Sequence, residues 1–363
     1  MKGQKEEQNK LLTGGDSLMA YETEDHEIQY CFPAINSSCI KGIHSRHESN
    51  IMYMFFSLLS AWTVFLNLLV IISISHFKKL HTPTNLLILS LAVADMLVGL
   101  VMPVEASRLI EICWYFGDTF CGLFLAITGL LFSASLYNLI LIAVDRYVAV
   151  CHPLLYQQKI TTTKTVIIIC ICWMWSSAYN ISFITDNRYF DTSHRTYGCY
   201  GECPFMTNSA WSMTDLFLSF IFPCTVIIIL YLKIFYVVHQ QVKVINCLMK
   251  CGKCVTEGSA RRKSESKAAL TLGIIVSVYL LCYIPYYILS LTVNTVISFK
   301  IVRFLLWILY INSGLNPLVY ALFYRWFKVS VKHILTLKIF QTASSLIDIF
   351  TDYNQICLNA ELN

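Results

Sequence analysis

Charged residues are scarce in this sequence of 363 residues. They make up 13% of the chain, whereas hydrophobic residues make up 56% and the mean hydropathy is +0.59. Ordinary soluble domains carry about 25% charged residues, so the composition excludes a disordered chain and argues against a water-soluble globule. The net charge of +5 is too small to indicate binding to nucleic acid. The composition predicts an integral membrane protein with lipid around it.

The sequence instead contains long runs of apolar residues. Seven segments are long enough to cross a bilayer as helices, which takes about 20 residues each. Their apolar residues lack the two-residue alternation of membrane-spanning strands. The sequence therefore predicts an all-α membrane protein, a seven-transmembrane-helix bundle. The predicted spans lie near 51–76, 85–108, 119–150, 164–185, 209–239, 267–293 and 301–324.

Lys and Arg residues favour one side of these spans, as in the run 261–267. An excess of positive charge marks cytoplasmic loops. We therefore expect an extracellular N-terminal tail over residues 1–50, the bundle over 51–324, and a cytoplasmic segment over 325–363. The sequon Asn36-Ser37-Ser38 then lies on the side where N-glycosylation occurs.

The segment after the last span alternates apolar and basic residues at helical spacing. Residues 325–340 are predicted to form a short amphipathic C-terminal helix on the inner lipid surface. A frayed tail is the alternative interpretation.

Polar and ionisable residues inside the spans indicate function, because burying them in lipid is costly. Asp95 lies midway along the second span, Asp145-Arg146-Tyr147 ends the third, and Asn316-Pro317-Leu318-Val319-Tyr320 interrupts the seventh. In this order they resemble the rhodopsin-like (class A) G-protein-coupled receptors over all seven spans. Further matching positions are Asn67, Cys121, Trp173, Pro223, Tyr231 and Pro285.

A narrower resemblance involves three segments. Residues 113–118, 199–203 and 312–327 are similar to the outer loops and the seventh-span signature of trace-amine-associated receptors. This resemblance implies a multi-pass plasma-membrane receptor for extracellular, volatile or biogenic amines. It also implies a role in olfaction and a heterotrimeric G protein of the stimulatory, cyclic-AMP-raising type as the inner partner. No catalytic constellation is present, so an enzyme is not predicted.

Amine receptors usually hold the ligand ammonium with an Asp five turns before the DRY arginine. Counting back 18 residues from Arg146 gives Thr128, which carries no charge. Asp215 offers a replacement eight residues before Pro223, with Ser219 one turn deeper on the same face. Some members of the family, notably in fish, place an acid at this fifth-span position. The alternative is an Asp215 that is merely solvated at the headgroup level.

Aromatic residues are expected to surround the ligand, because their faces attract ammonium groups. By family position these are Tyr286, Tyr287, Trp307 and Tyr310, although core packing is the alternative for each. Tyr283 departs from the Trp that the family usually has two residues before the sixth-span Pro.

Glu105 is a second acid near the outer end of the second span. Arg108 follows it at i+3, and we expect the two to pair rather than to bind the ligand. If both Glu105 and Asp215 faced the pocket, a diamine could bridge them.

The resemblance also implies a switch at the cytoplasmic ends of the helices. An ion pair between Arg146 and Glu265 would hold the closed state, and ligand binding would shift the population toward an open state. A solvated Glu265 is the alternative. The predicted switch residues are Asp145, Arg146, Glu265, Tyr231, Asn316, Pro317 and Tyr320.

A third implied site is the sodium pocket of the superfamily. Asp95, Ser135, Asn312 and Asn316 match it, so Na⁺ at Asp95 is a possible cofactor. A polar core without an ion is the alternative. No other metal site is predicted, since Cys251 and Cys254 lack a second pair of ligands.

Six cysteines fall on the predicted outer side. The resemblance implies a disulfide between Cys121 and Cys203. It also implies that Cys199 pairs with the N-terminal tail, through Cys39 or Cys31. Two other functions remain open: a receptor of the same fold for a non-amine ligand, and a transporter. The odd number of spans and the lack of repeats disfavour transport.

Overall fold

A computed structural model describes residues 29–41, 46–187, 199–203, 208–250, 273–274, 276–289, 299–341 and 344–346. Six of its helices are long and apolar enough to cross a membrane. A shorter apolar helix, Val276–Leu289, occupies the predicted sixth span. The predicted all-α bundle is thereby confirmed. The other spans are Arg46–His76, Pro83–Glu111, Asp118–Cys151, Thr162–Asp186, Ser209–Val244 within a helix that runs to Lys250, and Phe299–Phe323.

Local sequence signals set where several helices begin. Thr82 caps the second span by accepting a hydrogen bond from the Asn85 N–H, and Pro83 occupies the first turn, where its missing N–H has no cost. Thr161 and Asn208 cap the fourth and fifth spans in the same way. These caps satisfy N–H groups that would otherwise lack partners at the helix ends.

The third span lies at the centre of the bundle and packs against the second, fourth and fifth spans. The first span packs against the second and seventh. Small residues permit the closest approach: a Cβ on Gly99 of the second span would lie 2.9 Å from Val64 Cγ2. In a membrane such close van der Waals contact is a main source of helix association.

The fifth span is interrupted near its outer end. An α-helix, Ser209–Asp215, passes into a π-helical turn, Leu216–Ile221, before the α-helix resumes at Phe222. Pro223 follows, and it has no N–H to donate to the carbonyl of Ser219. The local widening changes the direction in which Asp215 and Ser219 face relative to the inner half of the helix.

The helices are capped at one end by a compact segment, residues 29–41, and we call this end of the bundle the outer end. Cys39 N–H donates to the Tyr200 carbonyl at 3.0 Å and Tyr200 N–H donates to the Ser37 carbonyl at 2.7 Å. Gly201 has φ +92°, and a Cβ there would lie 2.7 Å from the Phe32 ring. The turn at 199–203 therefore requires glycine to bring the segment this close.

Disulfides connect this outer segment to the helices. The structure joins Cys121 to Cys203, the pair that the resemblance implies. Cys39, rather than Cys31, is the partner of Cys199. A third bond joins Cys31 to Cys113, and sequence reasoning did not find it. The predicted sequon residue Asn36 is exposed in the same segment.

The helix Arg325–Leu335 follows the seventh span. Trp326, Phe327 and Val329 are buried against the end of the bundle, and the helix packs on the first span. The predicted helix over 325–340 is five residues too long. Leu337 adopts a positive φ of 56°, which ends the helical path before a short 3₁₀ turn at 338–340.

Candidate functional site

A cavity of about 570 Å³ opens within the outer half of the bundle. Residues from six spans, the second through the seventh, line it together with the outer-loop residues Glu202 and Cys203. Its size suits a small organic molecule. Of the predicted ligand-binding residues, those that line it are Thr128, Asp215, Ser219, Tyr286, Tyr287 and Tyr310.

The Asp215 carboxylate is the main anionic feature on the fifth-span side. Ser219 donates a hydrogen bond of 2.7 Å and Tyr179 one of 3.2 Å to its Oδ1, while Tyr287 donates one of 3.4 Å to Oδ2. Among the described residues no Lys, Arg or His pairs with it. Three hydroxyl donors therefore hold a carboxylate that, within the described part of the chain, forms no ion pair.

Thr128 lines the third-span wall of this cavity. Its Oγ1 is buried and has no hydrogen-bond partner among the described residues. The neighbouring polar group is Asn180 of the fourth span, whose amide donates to Ser133 Oγ at 3.1 Å and to the Ser176 carbonyl at 2.9 Å. This wall offers hydrogen bonds but no charge.

The predicted pairing of Glu105 with Arg108 is confirmed. Arg108 Nε lies 2.8 Å from one carboxylate oxygen of Glu105, and Nη2 lies 2.5 Å from the other. Arg108 Nη1 also donates to the Cys203 carbonyl at 3.1 Å. Both residues line the cavity, so it contains an internally neutralised ion pair on its second-span side.

Aromatic side chains form much of the wall. Four tyrosines come from the sixth and seventh spans, Tyr283, Tyr286, Tyr287 and Tyr310, and the third and fourth spans add Phe132, Tyr179 and Phe183. The prediction for Trp307 needs correction, because its side chain is not part of the lining. It packs against Phe56 of the first span, with ring centroids 5.3 Å apart at 88°. Its position on the seventh span turns it toward the first span rather than toward the cavity.

Sequence reasoning missed the contribution of the fourth span. Tyr179 contacts Asp215 directly and Asn180 lies beside it on the wall. No motif surrounds them. The available signal was a run of polar-tipped residues toward the outer end of the fourth span, Ser176, Ser177, Tyr179 and Asn180.

A second polar cluster lies at the opposite, inner end of the third span. Arg146 pairs with Asp145 of the same helix, with Nη2 and Oδ2 2.6 Å apart. Thr84 donates to Asp145 Oδ2 at 2.8 Å and also contacts Arg146 Nη2, while Tyr156 donates to Asp145 Oδ1 at 3.0 Å. Glu265, the predicted partner of Arg146, lies outside the described residues, as do Cys251 and Cys254.

Comparison with known proteins identifies the family. The model of the "7 transmembrane receptor (rhodopsin family)" matches residues 66–320. Trace amine-associated receptor 13c of Danio rerio is 40% identical over 333 residues, which cover 89% of this chain and 96% of that protein. Trace amine-associated receptor 6 of Rattus norvegicus is 39% identical over 335 residues, covering 90% and 96%. This chain belongs to the trace amine-associated receptors. It is a rhodopsin-family membrane receptor, as its motifs indicated.

The other predicted switch residues of this receptor lie on the fifth and seventh spans. Tyr231 and Tyr320 are buried, and neither hydroxyl has a hydrogen-bond partner among the described residues. Pro317 lies within the seventh-span helix, where it has no N–H to donate to the carbonyl of Ser313. Asn316 donates to Asp95 at 2.7 Å.

The predicted sodium pocket is a buried polar cluster between the cavity and the inner end. Ser135 Oγ lies 3.0 Å from Asp95 Oδ1. Asn312 is buried, and its Oδ1 has no hydrogen-bond partner among the described residues. Carboxylate, hydroxyl and amide oxygens suit a small hard cation. The residues of this receptor therefore fit Na⁺, which Asp95, Ser135 and Asn312 would hold, and its binding stays a prediction.

Proposed function

We propose that this receptor binds an extracellular amine in the outer cavity and neutralises its ammonium with Asp215. The observation that carries the proposal is the Asp215 carboxylate itself, which lines a ligand-sized cavity, accepts hydrogen bonds from three hydroxyl groups and forms no ion pair with a Lys, Arg or His among the described residues. An ammonium leaving water needs an opposite charge and hydrogen-bond acceptors. The names of its relatives, trace amine-associated receptors, agree with this ligand class.

The test compares Asp215→Asn with the unaltered receptor in a cyclic-AMP assay over a panel of amines. A charged hydrogen bond contributes about 1.5–3 kcal/mol, so potency should fall by about tenfold or more. Asp186→Asn is the matched control: this acid sits at the outer end of the fourth span and accepts a hydrogen bond from Trp211 Nε1 at 2.6 Å, outside the cavity lining. Surface labelling verifies expression. Normal potency in Asp215→Asn would contradict the proposal.

Signalling is the second part of the proposal. Amine binding favours an open population in which Arg146, Tyr231 and Tyr320 rearrange, and this population activates a heterotrimeric G protein of the stimulatory type. Leu154, which is 78% exposed in the short helix Pro153–Lys159, provides an apolar contact for that partner. Leu154→Ala should lower the maximal cyclic-AMP response without changing amine binding. Glu265→Ala should raise the basal response if the acid pairs with Arg146.

The receptor works at the plasma membrane with its N-terminus outside, its C-terminus inside and Asn36 glycosylated, and it serves olfaction. The charge asymmetry of the loops supports this orientation. An N-terminal epitope tag should be accessible to antibody on intact cells, and a C-terminal tag only after permeabilisation. The reverse pattern would reject the orientation.

A non-amine ligand is the second candidate, and Thr128 favours it. An uncharged residue stands at the usual anchor position, and its Oγ1 is buried without a partner among the described residues. Under this alternative, Asp215→Asn would leave responses unchanged and neutral ligands would activate the receptor. The same panel therefore separates the two candidates.

A further inference from the structure

The described helices give the cavity two charged sides, and their charges are unequal. A further acid, Glu202, lines the cavity from the outer loop, where its Oε2 lies 3.8 Å from Cys199 Sγ. Asp215 on the fifth span contributes one negative charge, while Glu105 and Arg108 on the second span contribute one charge of each sign. The three groups together carry a net charge of −1. One ammonium group neutralises these three helical groups, whereas a second ammonium beside Arg108 would meet an acid, Glu105, that is already paired.

Arg108 is paired with Glu105, the acid that a second ammonium group would need. Its Nε and Nη2 take both carboxylate oxygens of Glu105, at 2.8 and 2.5 Å. The third contact, from Nη1 to the Cys203 carbonyl at 3.1 Å, fixes the guanidinium to the loop that is disulfide-bonded to Cys121. A bidentate pair held at a third point is hard for a flexible alkylammonium to displace.

The two sides are close enough for one small ligand to meet both. Asp215, Glu105 and Arg108 line the same cavity of about 570 Å³, and Tyr286 lines it with them. A chain anchored by its ammonium at Asp215 can therefore extend within this cavity toward the guanidinium. A methyl end would meet Leu109, Leu306 and Leu309, which also line the cavity, whereas a second ammonium would meet the positive charge of Arg108.

We propose that Arg108 is a specificity-determining residue that makes this receptor selective for monoamines over diamines. It acts by neutralising Glu105 and by repelling a second cation, a repulsive element of the kind that specificity often requires. The inference rests on the proposed function, since it takes Asp215 as the anchor of the first ammonium.

The experiment measures cyclic-AMP responses to hexylamine and to 1,6-diaminohexane, with shorter and longer pairs as a series. The readout is the ratio of the two potencies, which does not depend on expression level. The unaltered receptor should prefer the monoamine by about tenfold or more. Arg108→Gln should reverse this preference, because it leaves Glu105 free to bind the second ammonium.

The double variant Glu105→Gln/Arg108→Gln is the matched control. It lacks both the cation and the freed acid, so its potency ratio should fall between those of the unaltered receptor and Arg108→Gln. If Arg108→Gln fails to reach the cell surface, the double variant alone tests whether Arg108 determines the selectivity. A monoamine preference as strong as that of the unaltered receptor would then overturn the role of Arg108.

Failure of the inference is distinguishable from failure of the proposed function. A hexylamine response that depends on Asp215, together with equal or greater potency of the diamine on the unaltered receptor, would overturn the selectivity proposal alone. A hexylamine response that survives Asp215→Asn at normal potency would overturn the anchor, and the inference with it.

Discussion

The hydroxyl groups around Asp215 determine how the carboxylate faces the ligand. Ser219 makes the shortest contact, at 2.7 Å, and Tyr287 the longest, at 3.4 Å. With Tyr179 also bound to Oδ1, one of the roughly four lone-pair positions of the carboxylate, on Oδ2, stays available for an ammonium. The orientation of the acid therefore depends most on Ser219, one helical turn away on the same span.

Ser219→Ala should lower amine potency more than Tyr287→Phe does. Loss of a hydrogen bond to a charged group corresponds to about 1.5 kcal/mol, or roughly tenfold in potency, and the long Tyr287 contact contributes less. Concentration–response curves in the cyclic-AMP assay measure both. Equal losses of potency in the two variants, or a larger loss in Tyr287→Phe, would show that Tyr287 rather than Ser219 orients the Asp215 carboxylate.

At this scale the sequence located some site residues and missed others for physical reasons. Spacing from Pro223 pointed to Asp215 and Ser219, and the family resemblance pointed to Tyr286, Tyr287 and Tyr310. Trp307 was misplaced, since neighbouring positions on an apolar helix differ in facing by only about 100°. Tyr179 has no motif around it, and the face that the fourth span presents depends on packing.

Among the elements, the fifth span controls the direction of the ligand anchor. Its π-helical turn, Leu216–Ile221, lies between Asp215 and Pro223. Such turns insert about one extra residue into the helix and rotate one half of the helix relative to the other by roughly 100°. The proline prevents a regular α-helical hydrogen bond to the Ser219 carbonyl, so it favours the wider turn.

Pro223→Ala should lower amine potency without unfolding the receptor. Restoring the N–H allows the turn to return to an α-helix, and Asp215 would then rotate away from the cavity. The expected loss is about tenfold, measured by amine competition binding and by cyclic AMP. Phe222→Ala, at an adjacent and exposed position, serves as the control. A loss equal in both variants would indicate a general helix defect.

Sequence reasoning predicted the helices better than their irregularities. The predicted start of the second span at 85 falls two residues inside Pro83–Glu111, because its cap at Thr82 precedes the apolar run. The pattern of apolar residues shows which segment spans the lipid. It does not show where a helical turn contains one residue more than an α-helical turn. For that reason the pattern predicted neither the π-helical turn nor the end of the last helix before Leu337.

On the scale of the whole molecule, the inner cluster links the third span to the loop after it. Tyr156 lies in the short helix Pro153–Lys159 and donates to Asp145, while Asp145 pairs with Arg146. Burial and the neighbouring Asp145 carboxylate raise the pKa of Tyr156, so at neutral pH its hydroxyl keeps the proton that it donates. The hydrogen bond from Tyr156 fixes the Asp145 carboxylate, and this carboxylate keeps the Arg146 side chain paired with a residue of its own helix.

Tyr156→Phe should raise basal cyclic AMP about twofold to tenfold, because a net hydrogen bond of about 0.5–1.5 kcal/mol is lost from the closed population. The measurement is made without added amine and is normalised to surface expression. Tyr147→Phe is the control, since its hydroxyl makes only a long contact of 3.4 Å with His152. An unchanged baseline in Tyr156→Phe would exclude a role in the closed state.

The outer end depends on three disulfides, of which Cys31–Cys113 was not foreseen. Pairing is a property of the folded loops, and six cysteines allow 15 arrangements that spacing cannot rank. In the structure, the bond at Cys31 ties residues 29–41 to the loop between the second and third spans, while Cys39 ties the same segment to Cys199. The segment is therefore fixed at two points above the cavity.

Cys31→Ser/Cys113→Ser should lower the thermal stability of the detergent-solubilised receptor and weaken amine binding less. The bond closes a loop with a sequence separation of 82, for which the chain-entropy estimate is about 4.5 kcal/mol. The segment retains Cys39–Cys199 and its backbone contacts to Tyr200, so the observed loss should be smaller than that estimate. The melting temperature of the double variant should match those of the two single variants, because each single change already removes the bond. A single variant with a markedly lower melting temperature than the double variant would instead indicate that the unpaired thiol is harmful. If the two single variants and the double variant all melt at the temperature of the unaltered receptor, Cys39–Cys199 alone holds the segment in place.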